Sequence, residues 1–188
     1  MPHFGARVEY ALHALLNLSL APAETAPSAR DLADFQKLPV PFMRKLLTQL
    51  EKAALVAAGE GVHGGWRLTR PASEISVLEV VDAAQGEEPL FECREIRARC
   101  ALWPDDAPPR GARSGVCEIH AVILAAERAM RAELASQTLA DIAARVGSKS
   151  PRFVATDVPR WFDDRYFGRR AGADEHRAER RRRGAVGG

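Results

Sequence analysis

With 188 residues and a formal net charge of +2, the chain is long enough for one well-packed domain plus an appendage. It is too close to neutral for indiscriminate attraction to nucleic acid, so any such contact must come from a local basic patch. No apolar run approaches the ~18 residues that a membrane span needs, and Met1-Pro2-His3-Phe4 lacks a charged and apolar leader, so the expectation is a cytoplasmic protein without a membrane partner.

Gly5 to Leu20 reads as a first helix whose buried face is Val8, Ala11, Leu12, Leu15 and Leu18. Glu9 and His13, four apart, share a side of it; by spacing alone they are an ordinary surface pair. The linker Ala21–Pro27 leads to Ser28-Ala29-Arg30-Asp31, an S-x-x-D helix start, followed by the apolar Leu32 and Phe35. Pro39-Val40-Pro41 breaks that helix, and Pro41 suits the first position of the next. There Met43, Leu46, Leu47, Leu50 and Ala54 form a one-sided stripe, which turns Arg44, Lys45, Thr48, Gln49 and Lys52 outward. Leu55-Val56 and Trp66–Arg70 flank the glycine-rich Gly59–Gly65 as a β-hairpin. Helix, turn, basic helix and hairpin in this order predict a winged helix-turn-helix that reads DNA. Its contacts are expected from Ser28, Pro41, Arg44, Lys45, Gln49, His63, Gly64, Gly65 and Arg67. A helical hairpin with a merely solvated basic face is the competing reading.

Ser76 caps a further helix with Val77, Leu78, Val80 and Val81 apolar and Gly86 near its end. Glu87 to Gly115 is irregular and holds Cys93 and Cys100, with Cys117 just beyond. Loops of that length are usually functional or disordered. From Glu118 to about Ser136, Ile119, Val122, Ile123, Ala126, Met130 and Leu134 form a near-heptad stripe suited to packing against a second copy. Thr138 opens a last short helix. Trp161, Phe162, Tyr166 and Phe167 are available to dock, and Arg177–Arg183 reads as a basic tail. The expected organisation is a DNA-binding domain over 1–86, a cysteine loop over 87–117, a dimerisation helix and short helix over 118–147, and a mobile basic tail over 148–188. The fold class is mainly α with a small β-wing.

Cys93-x6-Cys100-x16-Cys117-x2-His120 has no C-x2-C knuckle, so it is no zinc ribbon. Three thiols around one loop suit an iron–sulfur cluster, which takes four ligands, leaving one to be found among His120, Glu9 and His13. Three unrelated thiols are the alternative. No nucleophile–base pairing, C-x-x-C pair or phosphate loop is present, so no enzyme is expected.

Three stretches together resemble the IscR/NsrR/RsrR-type iron–sulfur winged-helix transcription regulators. They are Val8-Glu9-Tyr10-Ala11-Leu12-His13, the wing Gly64-Gly65-Trp66-Arg67-Leu68-Thr69-Arg70-Pro71, and Ile75–Val81 ahead of a cysteine loop and long helix. The likeness covers roughly residues 5–146. It implies a homodimer on an inverted-repeat operator in double-stranded DNA, with a cluster of the [2Fe-2S] type sensing redox state. Cys93 and Cys117 fall where the family's ligand cysteines lie, and Cys100 is off the usual spacing. Glu9 lies where NsrR-like members supply an acidic ligand from the opposite subunit. Glu9 with His13 matches the RsrR arrangement of a Glu and a His from one subunit and two cysteines from the other. His120 is the IscR-like rival. The metal set is therefore Glu9, His13, Cys93, Cys100 and Cys117. A cluster-free relative with a thiol switch, or with idle cysteines, is the alternative.

Overall fold

The computed structural model describes residues 4–59, 64–86, 89, 91–99, 101–103, 109, 111 and 114–185. Helices follow in the order α1 (Ala6–Leu20), α2 (Ala29–Gln36), α3 (Val40–Lys52), α4 (Val77–Gln85), α5 (Glu118–Ser136), α6 (Leu139–Lys149) and α7 (Val158–Ala185). Strands β1 (Val56–Ala58) and β2 (Trp66–Leu68) lie between α3 and α4 as one antiparallel pair. This is a winged helix-turn-helix, mainly α with a small β-wing. No helix among the described residues is long and apolar enough to cross a membrane.

Three helices begin with the same device. The Ser28 hydroxyl accepts the Asp31 amide at 3.2 Å, while the Asp31 carboxylate accepts the Ser28 amide at 2.8 Å. Ser76 with Glu79 and Thr138 with Asp141 repeat this reciprocal cap at α4 and α6. Each satisfies two amides that a helix start otherwise leaves open. Partial burial pushes the Glu79 carboxyl up, but the Ser76 amide and hydroxyl and the Arg70 guanidinium outweigh it and hold the carboxyl below its ordinary value. The start of α3 is one residue earlier than the sequence suggests. Val40 opens it and Pro41 sits within the first turn, where a missing N–H costs nothing.

The core collects Leu15 of α1, Leu32 of α2, Met43, Leu46, Leu47 and Leu50 of α3, and Val80 of α4, all essentially free of solvent. Helix α1 runs through its centre and packs on α3, α4 and α6. In the wing, Val56 pairs with Leu68, Ala57 with Arg67, and Ala58 with Trp66. The period of two buries Val56 and leaves Arg67 outside. Helix α5 leaves the body and α6 returns to it. Val77 N–H donates to Gln137 at 2.8 Å and Leu139 N–H to Ile75 at 3.0 Å, which fastens the start of α6 to that of α4. Arg131 of α5 grips Asp82 of α4 through two bonds of 3.0 and 2.8 Å.

Within the segment expected as a mobile tail, 148–188, residues 148–185 are described. Residues Phe153–Asp157 form a π-helical turn, and α7 follows it to Ala185. Val158, Phe162 and Tyr166, four apart, form an apolar stripe buried against the body. Phe162 stacks on Phe35 at 5.3 Å and Trp161 meets the same ring edge-on at 5.0 Å. Arg165 pairs with Asp34 at 2.8 Å, and Arg169 pairs with the nearly buried Asp31.

Candidate functional site

The residues expected to contact DNA lie on α2, α3 and the wing. The α3 stripe seats Met43, Leu46, Leu47 and Leu50 in the core, so Pro41, Arg44, Lys45 and Thr48 stand exposed. Gln49 does not follow them fully. It is half-buried, and its side-chain oxygen has no hydrogen-bond partner among the described residues. Ser28 is half-buried with its hydroxyl engaged in the α2 cap, donating to Asp31 at 2.8 Å. Arg67 is exposed on β2. His63 lies outside the described residues. Arg70 turns back to the body: it bonds the Glu74 carbonyl at 3.1 Å and pairs with Glu79.

Gly64 and Gly65 are both described, and Gly65 has a specific reason to be glycine. A Cβ there would lie 2.1 Å from the Ala26 carbonyl oxygen. The next amide, Trp66 N–H, donates to Pro27 at 2.8 Å. The wing base is thus pressed onto the segment that opens α2. Nothing in the sequence pattern announces that contact, beyond the glycine pair itself.

The second feature is a cavity of about 320 Å³ beside the start of α5, lined by Cys93, Cys117, Phe91, Ile96 and Ile119 among others. Both thiols are free and half-buried. Cys93 precedes a short 3-10 turn (Ile96–Arg99), and Cys117 is the residue that caps α5. The chain between them is tied by Arg97, which bonds Glu95 at 2.5 and 2.8 Å and the Gly115 carbonyl at 3.2 Å. The Glu95 carboxylate, as hydrogen-bond partner, raises the Arg97 pKa; desolvation opposes it, and the charge of Glu95, then those of Cys117 and Cys93, add to it. A fixed cation therefore stands within electrostatic reach of both thiols. The sequence reading missed Arg97, because nothing in the loop's spacing links it to either cysteine. Cys100 lies outside the described residues. His120 packs its ring on Phe91 at 5.5 Å and is not part of the cavity lining described.

Glu9 and His13 are exposed on α1 and line another cavity, of about 520 Å³, with Phe4, Val8, Leu12 and Ile142. The structure thus brings together Cys93 with Cys117, and Glu9 with His13, in two separate recesses. Among the described residues of one chain, no three His, Cys, Asp or Glu side chains converge as a metal site.

The Rrf2 family model, described as an iron-dependent transcriptional regulator, matches residues 4–145. A Mycobacterium tuberculosis (strain ATCC 25618 / H37Rv) protein assigned as an HTH-type transcriptional regulator is 33% identical over 150 residues, covering 80% of this chain and 84% of its own. The HTH-type transcriptional regulator NsrR of Shouchella clausii is 33% identical over 98 residues, 51% of this chain and 65% of that protein. Among solved structures, T. potens IscR superposes with a TM-score of 0.58 at 20% identity, covering 78% of this chain and 89% of that one, a likeness of fold.

Proposed function

This chain belongs to the Rrf2 family, whose members are transcriptional regulators and not enzymes, and on that premise we propose that it is a homodimeric, DNA-binding regulator whose operator affinity is set by an iron–sulfur cluster of the [2Fe-2S] type. The single observation that carries the cluster is the separation of ligand pairs. Each protomer offers two thiols in one recess and a carboxylate–imidazole pair in another, and neither set alone reaches the four ligands a cluster takes. Two protomers facing each other can complete both sites, with Cys93 and Cys117 from one and Glu9 and His13 from the other. The exposed apolar face of α5 supports the pairing, since Ile119 and Val122 are 66% and 70% exposed and no residue of α5 is buried within the protomer.

The donor set fits the group. Thiolates are the preferred ligands of iron–sulfur clusters, and Cys93 and Cys117 share one recess with Phe91, Ile96 and Ile119. When bound, such a cluster supplies a one-electron centre whose potential depends on ligand type, hydrogen bonding and exposure. The protein's own residues do the rest. Cys93 and Cys117 would hold it, Arg97 would balance part of the charge, and Glu9 and His13 would tie it to α1. Helix α1 packs on both α3 and α4, so Glu9 and His13 would link the cluster to the helix that carries Arg44 and Lys45. The dimer meets two equivalent half-sites of an inverted repeat about a helical turn apart. The two thiols sharing one recess also suit a cluster-free disulfide switch, which the same experiment separates.

Reduced protein should be compared by electron spin resonance for Glu9→Ala, His13→Ala and His120→Ala. The first two should change the signal and the third should leave it. A His13→Ala protomer combined with a Cys117→Ser protomer should recover one intact site per heterodimer. A signal altered only by His120→Ala, or no recovery in the heterodimer, contradicts ligation across the interface. Colourless protein with a reducible Cys93–Cys117 disulfide favours the thiol switch.

A further inference from the structure

We propose that the distal part of α7 is a second DNA-contacting element, a basic helix that grips phosphates flanking the half-site read by α3 and the wing. This rests on the DNA-binding reading above and adds to it a surface that lies beyond the residues 4–145 matched by the family model.

The direction of α7 follows from its contacts. Trp161 and Phe162 meet Phe35 near the end of α2, Arg165 meets Asp34, and Arg169 meets Asp31 and the Ala26 carbonyl at its beginning. Helix α7 therefore runs antiparallel to α2 and continues past the N-terminal end of that helix. That end is where the Ser28 cap, Ala26 and the wing base meet, since Gly65 lies against Ala26 and Trp66 bonds Pro27. The reading head and the outgoing helix thus share one anchor, residues 26–31.

Charge and length give the outgoing part its partner. Between residues 177 and 183 the sequence has five arginines and one glutamate. Arg180–Arg183 are four consecutive residues within α7, which runs to Ala185. At 1.5 Å per residue they lie ~17–21 Å beyond Arg169 along the axis. That length corresponds to about five or six base pairs at 3.4 Å each, a reach suited to the phosphates beside a half-site. Guanidinium is the side chain best matched to phosphate oxygens. Contacts of this kind raise affinity for any sequence and carry no base information.

The test uses the full chain, a 40-base-pair duplex selected with it from a randomised pool, and the same duplex scrambled. Arginines 180, 181, 182 and 183 are replaced together by glutamine, which keeps helix propensity and removes charge. Circular dichroism should show unchanged helix content. The variant should bind both duplexes more weakly and retain its preference for the selected one. Its slope of log affinity against log salt should fall by about 1.8 or more per dimer, ~0.9 for at least one phosphate in each protomer. Equivalently, over a fourfold rise in salt its affinity should drop about 12-fold less than wild type's. A slope and affinity equal to wild type's on both duplexes overturn the proposal and assign the basic run to another partner. Failure of wild type to prefer any selected duplex overturns the DNA-binding reading itself.

Discussion

Replacing Gly65 by alanine probes the joint between the wing base and the segment that opens α2. The added methyl carbon would stand 2.1 Å from the Ala26 carbonyl oxygen, 2.5 Å from its carbonyl carbon and 2.8 Å from its Cβ. Two of those three atoms are backbone, so no rotamer change relieves the overlap. Ala26 is also held in place: it is 2% exposed, and its carbonyl accepts Arg169 at 3.1 Å. The strand must move instead, which strains the Trp66–Pro27 bond of 2.8 Å and the Gly59–Gly65 bond of 2.7 Å. Overpacking costs about 1–3 kcal/mol, and one lost backbone bond adds about 1 kcal/mol. The expected destabilisation is therefore about 2–4 kcal/mol, lowering Tm by roughly 4–16 °C at ~2–4 °C per kcal/mol for a chain of this size. Urea unfolding followed by circular dichroism measures it. Gly168→Ala serves as the contrast, since open space surrounds that position on α7 and the substitution should stabilise by up to about 1 kcal/mol. Gly65→Ala within 0.5 kcal/mol of wild type, a threshold on the order of ordinary surface changes, would refute the packing account of the wing base.

Phe162→Ala should cost about 3–5 kcal/mol, because it empties a fully buried aromatic site against Phe35; loss of less than ~1 kcal/mol in urea unfolding would mean that α7 is not part of the folded body. The hydroxyl and amide of Thr138 hold the Asp141 carboxyl below its ordinary value, so this cap stabilises above the usual carboxylate range and its contribution fades as pH falls through the depressed native value. Thr138→Ala should consequently lose less stability than wild type between about pH 5 and pH 3, and parallel acid profiles would contradict that origin. Arg44→Ala should weaken binding to a selected duplex by roughly 1–3 kcal/mol and relax its sequence preference, as for a bidentate base contact. Arg67→Ala should instead act through the salt slope; two mutants indistinguishable from wild type at several salt concentrations would mean that α3 and the wing do not dock as described.

The winged body is legible because its signals are local. Ser28, Ser76 and Thr138 each stand three residues before an acid, and the α3 stripe needs only the helical period. Gln49 shows the limit of that period: it occupies an outward position by count, yet the neighbouring packing half-buries it. Helix α7 escaped for a different reason. Its apolar stripe of Val158, Phe162 and Tyr166 is visible in retrospect, but the charges around it lower the average enough to read as a solvated tail. Its ion pairs to α2 join residues more than a hundred positions apart, Arg165 to Asp34 and Arg169 to Asp31, which no local pattern encodes. The thiol recess was half legible. Cys93 and Cys117 carried the expectation, whereas Arg97 owes its place to Glu95 and the Gly115 carbonyl and gives no sign of it in the spacing.

The central claim, a cluster held by two protomers, is tested most directly by purifying the full chain without oxygen and measuring visible absorption with iron and acid-labile sulfide. A [2Fe-2S] centre predicts coloured protein, two irons and two sulfides per protomer, and loss of all three signals in both Cys93→Ser and Cys117→Ser with helix content kept. Colourless wild-type protein that takes up neither iron nor sulfide on anaerobic reconstitution would contradict the account.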